Sequence, residues 1–168
     1  LATGGRLVLS TTEPTVVDGN ELGRIDFQAP LDTAGTDAIL VAASIYAEAD
    51  NTFSSSVNAT ELVFATGASE TAAEKMRITS DGKVGIGTSA PDGTVHIFTA
   101  SAGTVAASSQ ADDLVVENSV ETGITIISPD AQSARIRFTS PSTNTDVGGG
   151  SILYRQNINK LVVATQVS

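Results

Sequence analysis

Two stretches of this chain carry nearly the same message. "GRIDFQAP" (Gly23 to Pro30) and "ARIRFTSP" (Ala134 to Pro141) share Arg, Ile, Phe and Pro at 24/135, 25/136, 27/138 and 30/141. Their flanks repeat in the same order. "RLVLST" precedes the first copy and "DLVVEN" the second; "SIY" (Ser44 to Tyr46) corresponds to "SILY" (Ser151 to Tyr154), and "ELVFAT" (Glu61 to Thr66) to "KLVVAT" (Lys160 to Thr165). The offset falls from 111 at Arg24/Arg135 to 99 at Glu61/Lys160, so the second copy has shorter loops. The acidic, Ser-rich segment Glu48 to Ala59 is where the extra residues of the first copy lie, because loops absorb length changes while paired elements keep their pattern. A repeated short module cannot bury its apolar surface alone and relies on neighbours.

The repeated unit is built from strands. Alternating apolar and polar residues, rich in Val, Ile and Thr and bounded by Gly, Asp, Asn and Pro, mark half-buried strands. The pattern recurs at Arg6–Ser10, Gly23–Gln28, Ile39–Ala47, Glu61–Thr66, Lys75–Thr79, Lys83–Thr88 and Thr94–Thr99, and again at Asp113–Asn118 and in the second copy. The one helix candidate is Ser69 to Met76, "SETAAEKM", which reads equally well as a turn entering the next strand. The expected fold class is therefore all-β. The expected organisation is a first β module at 1–99 ending in a Gly-rich hairpin, a Ser/Ala-rich linker at 100–113, and a second, truncated copy at 114–168. The chain opens on Leu1 and stops inside the second copy, so it reads as part of something longer. In that case a second Met-Arg-Ile and Val-Gly-Ile-Gly pair is expected soon after Ser168.

Composition points to association. The chain of 168 residues is 40% hydrophobic but only 4% aromatic, with no Trp and no Cys. Ala, Val, Ile and Leu without large rings make a thin core, and thin cores are stabilised by staples or by partners. Disulfides are excluded. The net charge of −10 argues against nucleic acid and against an anionic membrane surface. No stretch is long and apolar enough to span a bilayer as a helix, and no signal peptide opens the chain.

"EKMRITSDGKVGIGTSAPDGTVHI" (Glu74 to Ile97) resembles a segment common in phage tail fibres and related virion appendages. There a Met-Arg-Ile strand, a Ser-Asp/Asn-Gly turn and a Val-Gly-Ile-Gly-Thr strand precede a Pro and a short strand. "LVVENSVETGITIISPDAQSARIRF" (Leu114 to Phe138) is similar to the segment that commonly neighbours it. The resemblance implies repeated β-rich fibre modules in an elongated homotrimer, intertwined or side by side. It implies a place on the virion, extracellular once assembled, with other virion proteins and a host surface receptor or glycan as further partners. Such fibres often end in an autoproteolytic chaperone domain of the endosialidase type; nothing here matches it, so no protease activity carries over.

The remaining motifs offer little chemistry. Gly85-Ile86-Gly87 suggests a dinucleotide loop, but Pro91, Asp92 and Gly93 stand where the required helix would begin. The alternative is a bare strand face that lets another backbone approach, in a trimer that of another subunit. Asp81-Gly82 is a hairpin signal. His96 alternates with Val95 and Ile97 and faces away from them; it is a packing or surface histidine, or one of three around a threefold axis holding an ion. With no second His and no Cys, no metal site is expected in one chain. Glu48/Asp50 and Asp112/Asp113 are neighbouring acids rather than a convergent pair, no calcium loop is present, and Asn58-Ala59-Thr60 fits a glycosylation sequon. No catalytic, cofactor-binding or metal residue is assigned, and no cofactor.

These readings converge on a non-enzymatic trimeric shaft or spacer supporting host attachment, with Ile25, Phe27, Ile136 and Phe138 buried between sheets or subunits. Ala49–Ala59 and Ser142–Gly150 are the loops expected to reach a host surface. The alternatives are a receptor- or glycan-binding knob using Tyr46, Phe53 or Tyr154, a capsid decoration protein, or a fibre-borne depolymerase.

Overall fold

The computed structural model describes residues 4–104, 106–138, 150–155 and 158–165. It is all-β: the described residues form ten strands, with a short 3-10 turn at Asp37–Ile39. The chain divides into two units, Leu1–Thr122 and Gly123–Ser168.

The first unit is one seven-stranded sheet in which spatial order follows chain order. β1 (Glu21–Gln28), β2 (Val41–Ala49), β3 (Thr60–Thr66), β4 (Ala73–Ile78) and β5 (Val84–Ile86) form an antiparallel meander. β6 (Val95–Phe98) and β7 (Leu114–Glu117) then add in parallel. The β4–β5 connection is the expected hairpin. Gly82 has φ +89, and the Thr79 N–H donates to the Lys83 carbonyl across the turn at 2.9 Å. Parallel neighbours require crossovers, and residues 87–94 and 99–113 provide them.

The second unit is a three-stranded antiparallel meander of β8 (Ser133–Phe138), β9 (Gly150–Arg155) and β10 (Lys160–Thr165). Its register matches that of the first three strands. Ile25 pairs with Ile45 and Ile45 with Phe64; Ile136 pairs with Ile152 and Ile152 with Val163.

One expected strand is absent. Arg6–Ser10 is not a strand. Leu9 packs on Gly23, but the chain is first hydrogen-bonded to a strand at Gly19, whose N–H donates to the Ala49 carbonyl at 2.8 Å, and an extended segment without a ladder partner does not become a strand. Of the two readings of Ser69–Met76, the turn entering the next strand is the one seen. The Gly67 and Ala72 N–H groups donate to the Ala42 and Val41 carbonyls, both at 2.8 Å, which draws this segment into the sheet and lets β4 start at Ala73. The two compact units meet at Thr122/Gly123, and Leu114–Glu117 finds its hydrogen-bond partner in β6.

Candidate functional site

Strand side chains alternate, so residues directly opposite one another across a sheet share a face. One row crosses the whole first sheet: Ile25, Ile45, Phe64, Met76, Ile86, Ile97 and Val116. A second row on the same face runs Gly23, Ala47, Leu62, Ile78, Val84, Val95 and Leu114. Every side chain in these rows is apolar, yet all are half-buried or exposed. Phe27, beside them on β1, is 53% exposed. The second sheet repeats the arrangement with Ile136, Phe138, Ile152, Tyr154, Leu161 and Val163, all exposed.

The opposite face of the first sheet is the covered one, and it is polar. Among the described residues its buried apolar side chains are Val63 and Ala65; Ala49, on the other phase of β2, is buried where the Gly19 N–H meets its carbonyl, and Leu153 is buried in the second sheet. Val63, at the centre of this face, lies between Tyr46 and Arg77. Arg24 stacks over the Tyr46 ring at 5.0 Å and binds Glu21, Asp26 and Ser44. Arg77 is ion-paired to Glu61, to Glu74 at 2.5 Å and to Glu48 at 3.9 Å. The Glu74 hydrogen bonds, above all, hold its guanidinium even more firmly protonated than usual. One cation shared among three carboxylates leaves the cluster acidic. Burial accordingly pushes the Glu61 carboxyl above the ordinary range despite Arg77.

Further along, the two crossovers close over the same face. The Thr88 carbonyl oxygen lies 2.3 Å from where a Gly85 Cβ would stand, and the Phe98 carbonyl oxygen 2.1 Å from that of Gly87, whose φ is +81. The glycines of "VGIG" thus admit backbone of their own chain, not that of another subunit. His96 lies beneath the crossover, 2% exposed. The Asp92 N–H donates to its Nδ1 at 3.3 Å, which places the ring proton on Nε2, facing Glu117 Oε2 at 3.2 Å. The contact is out of line for a hydrogen bond, so Nε2 stays unsatisfied. Glu117 is itself fixed by the Ala102 N–H at 2.6 Å. Asp92, His96 and Glu117 are close enough to surround an ion. The occupied Nδ1 instead makes Nε2 a proton donor, and the trio reads as a clamp on the crossover. It holds the imidazole buried within the single chain.

The other expected residues are spread out. Asp81 sits at the hairpin, its carboxyl held below the usual range by the Thr79 hydroxyl and by Lys83. Asp50, Glu61, Asp81 and Asp92 border an open cleft of about 430 Å³ with Lys83. The Asp112 and Asp113 carbonyls accept the Thr94 and Val95 N–H groups. The loop Ala49–Ala59 closes on itself through Asp50–Ala59 and Ser54–Val57 backbone hydrogen bonds. Of Ser142–Gly150, only Gly150 is among the described residues. The aromatic candidates are partly engaged: Arg24 covers Tyr46, Phe53 is half-buried, and the Tyr154 hydroxyl bonds Asn159.

The Arg77 cluster was not anticipated. Its signal is Glu48, Glu61 and Arg77 on same-phase positions of three strands, visible only once the register is known. No family model matches the chain, and no curated protein matches it.

Proposed function

We propose that this chain is a structural module of a phage tail fibre or similar virion appendage, working as a homotrimeric shaft that supports host attachment. The observation that carries the reading is the apolar face running across all seven strands of the first sheet, covered among the described residues only at its β1–β2 end, where Leu9 lies on Gly23 and Ala49 is buried, while Ile25, Phe27, Leu62, Ile86, Ile97 and Leu114 stay exposed. Contiguous exposed apolar surface of this extent marks an interface. The occupants are two further copies of the chain. The same apolar face recurs at equal register in β8–β10, so each unit taken by itself offers the same kind of surface to a neighbour. The resemblance of Met76 to Pro91 to fibre segments supports the placement on a virion. In this reading the buried polar face holds each subunit's shape, and the exposed apolar face holds the subunits together.

Light scattering on the purified chain tests it. The expected mass is three times 17.1 kDa, stable to dilution. A species of 17.1 kDa with full strand content at all concentrations overturns the proposal.

A further inference from the structure

The two sheets share a register but not a charge. On the polar face of the first sheet, Glu48 stands directly opposite Glu61. At the matching position of the second sheet, Arg155 stands opposite Lys160. The correspondence follows from the registers themselves. Ile45 pairs with Phe64 three positions before Glu48 meets Glu61, and Ile152 pairs with Val163 three positions before Arg155 meets Lys160. Like charges facing one another across two strands are destabilising. The first sheet resolves its pair with the next strand: β4 brings Arg77 opposite Val63, and its guanidinium binds both carboxylates. In the second sheet Leu153 is buried between strands as the counterpart of Tyr46, and Val162 is the counterpart of Val63. Among the described residues nothing pairs with the outer edge of β10, and Arg155 and Lys160 have no ion-pair partner. An open edge with unpaired N–H and C=O groups takes an added strand.

We infer that the β10 edge is completed by an antiparallel strand in the role of β4, carrying Asp or Glu opposite Val162 and apolar residues opposite Leu161 and Val163. The partner is thus a β-strand with an apolar–acidic–apolar triplet, the charge inverse of Met76-Arg77-Ile78. Its carboxylate sits between Arg155 and Lys160 as Arg77 sits between Glu48 and Glu61. Its apolar neighbours extend the exposed face formed by Ile152, Leu161 and Val163. The inference rests on the register that the two sheets share and not on the trimer, and it replaces the Met-Arg-Ile expected after Ser168 with a strand that carries an acid at the Arg position.

Hydrogen exchange on the full chain tests it with peptides spanning residues 72–88. One peptide has the native sequence and the other has Arg77→Glu. The Glu-bearing peptide is expected to slow exchange of the β10 amides at least tenfold at a concentration where the native peptide does little. In the Arg155→Glu/Lys160→Glu chain the preference inverts. In the milder Arg155→Gln/Lys160→Gln chain it disappears while some protection by both peptides remains. Protection by neither peptide, equal protection of the unmodified chain by both, or preference for the native peptide overturns the inference. So does equal protection by unstructured polyglutamate at the same carboxylate concentration, since the surface would then collect any anion. The mass measurement decides the trimer separately, so the two failures are distinguishable.

Discussion

Phe27 offers the sharpest test of the trimer. It lies on the apolar face of β1 and is 53% exposed in the single chain. An aromatic side chain offers roughly 150–250 Å², so on the order of 100 Å² of Phe27 remains in water. Covering that area contributes about 2.5 kcal/mol per copy. Three copies contribute about 7 kcal/mol to the trimer by the same area relation. Phe27→Ala removes most of this, which corresponds to a loss of about four to five orders of magnitude in the association constant. Sedimentation equilibrium over a wide concentration range reads that constant directly. Glu70→Ala, an exposed change in the β3–β4 connection outside the apolar rows, is the control and should leave it unchanged. If Phe27→Ala associates as tightly as the parent chain, the apolar face is not the interface and the argument fails. Phe138→Ala, 57% exposed at the matching position of the second sheet, should weaken association to a similar degree.

Arg77→Leu should destabilise the first sheet by about 3–5 kcal/mol, because it leaves partly buried carboxylates without their cation; thermal unfolding followed by circular dichroism checks this. Glu61 sets a pH dependence. Its carboxyl is raised above the ordinary range in the fold, so its stabilising contribution is complete below the unfolded value of 4.5 and is lost as pH rises through the folded value. The stability of the parent chain relative to Glu61→Gln should therefore increase as pH falls from 7 towards 4.5, and a decrease over that window would refute the assignment. The glycines separate steric from conformational cost. Gly82→Ala, at φ +89 in open space, should cost about 1 kcal/mol for its left-handed backbone. Gly87→Ala meets the Phe98 carbonyl as well and should cost clearly more; equal melting temperatures for the two variants would contradict the packing described.

Much of the sheet was legible because its signals are local. Alternation marked β1 to β6 and β8 to β10, and Asp81-Gly82 marked the hairpin, since each depends on a few neighbouring residues. Pairing is not local, and that is where the reading failed. Arg6–Ser10 alternates like a strand but has no ladder partner. Leu114–Glu117 resembles the start of a second module but hydrogen-bonds into the first sheet. His96 alternates as expected, yet only the crossover through Asp92 shows that the ring is enclosed. Gly85 and Gly87 were read as space for a backbone, and space they are. Which backbone fills it depended on how residues 87–94 cross. The Arg77 cluster was hidden for the same reason, since Glu48, Glu61 and Glu74 converge on it only through the β2–β3–β4 register.

The placement of apolar and polar faces has a consequence for how this sequence can drift. In an ordinary domain the side chains most accessible in one subunit change most freely. With the apolar face as the proposed subunit interface, the order is reversed along the strands of the first sheet. Residues such as Ile25, Leu62, Ile86 and Ile97, which look free in an isolated subunit, are the ones a saturation mutagenesis screen for assembled particles should find least replaceable. The crossover residues near His96 should tolerate change only in pairs that keep the clamp. A tolerance map of this chain should still show the two-residue rhythm of a strand, but in the phase that a solitary subunit would assign to its surface.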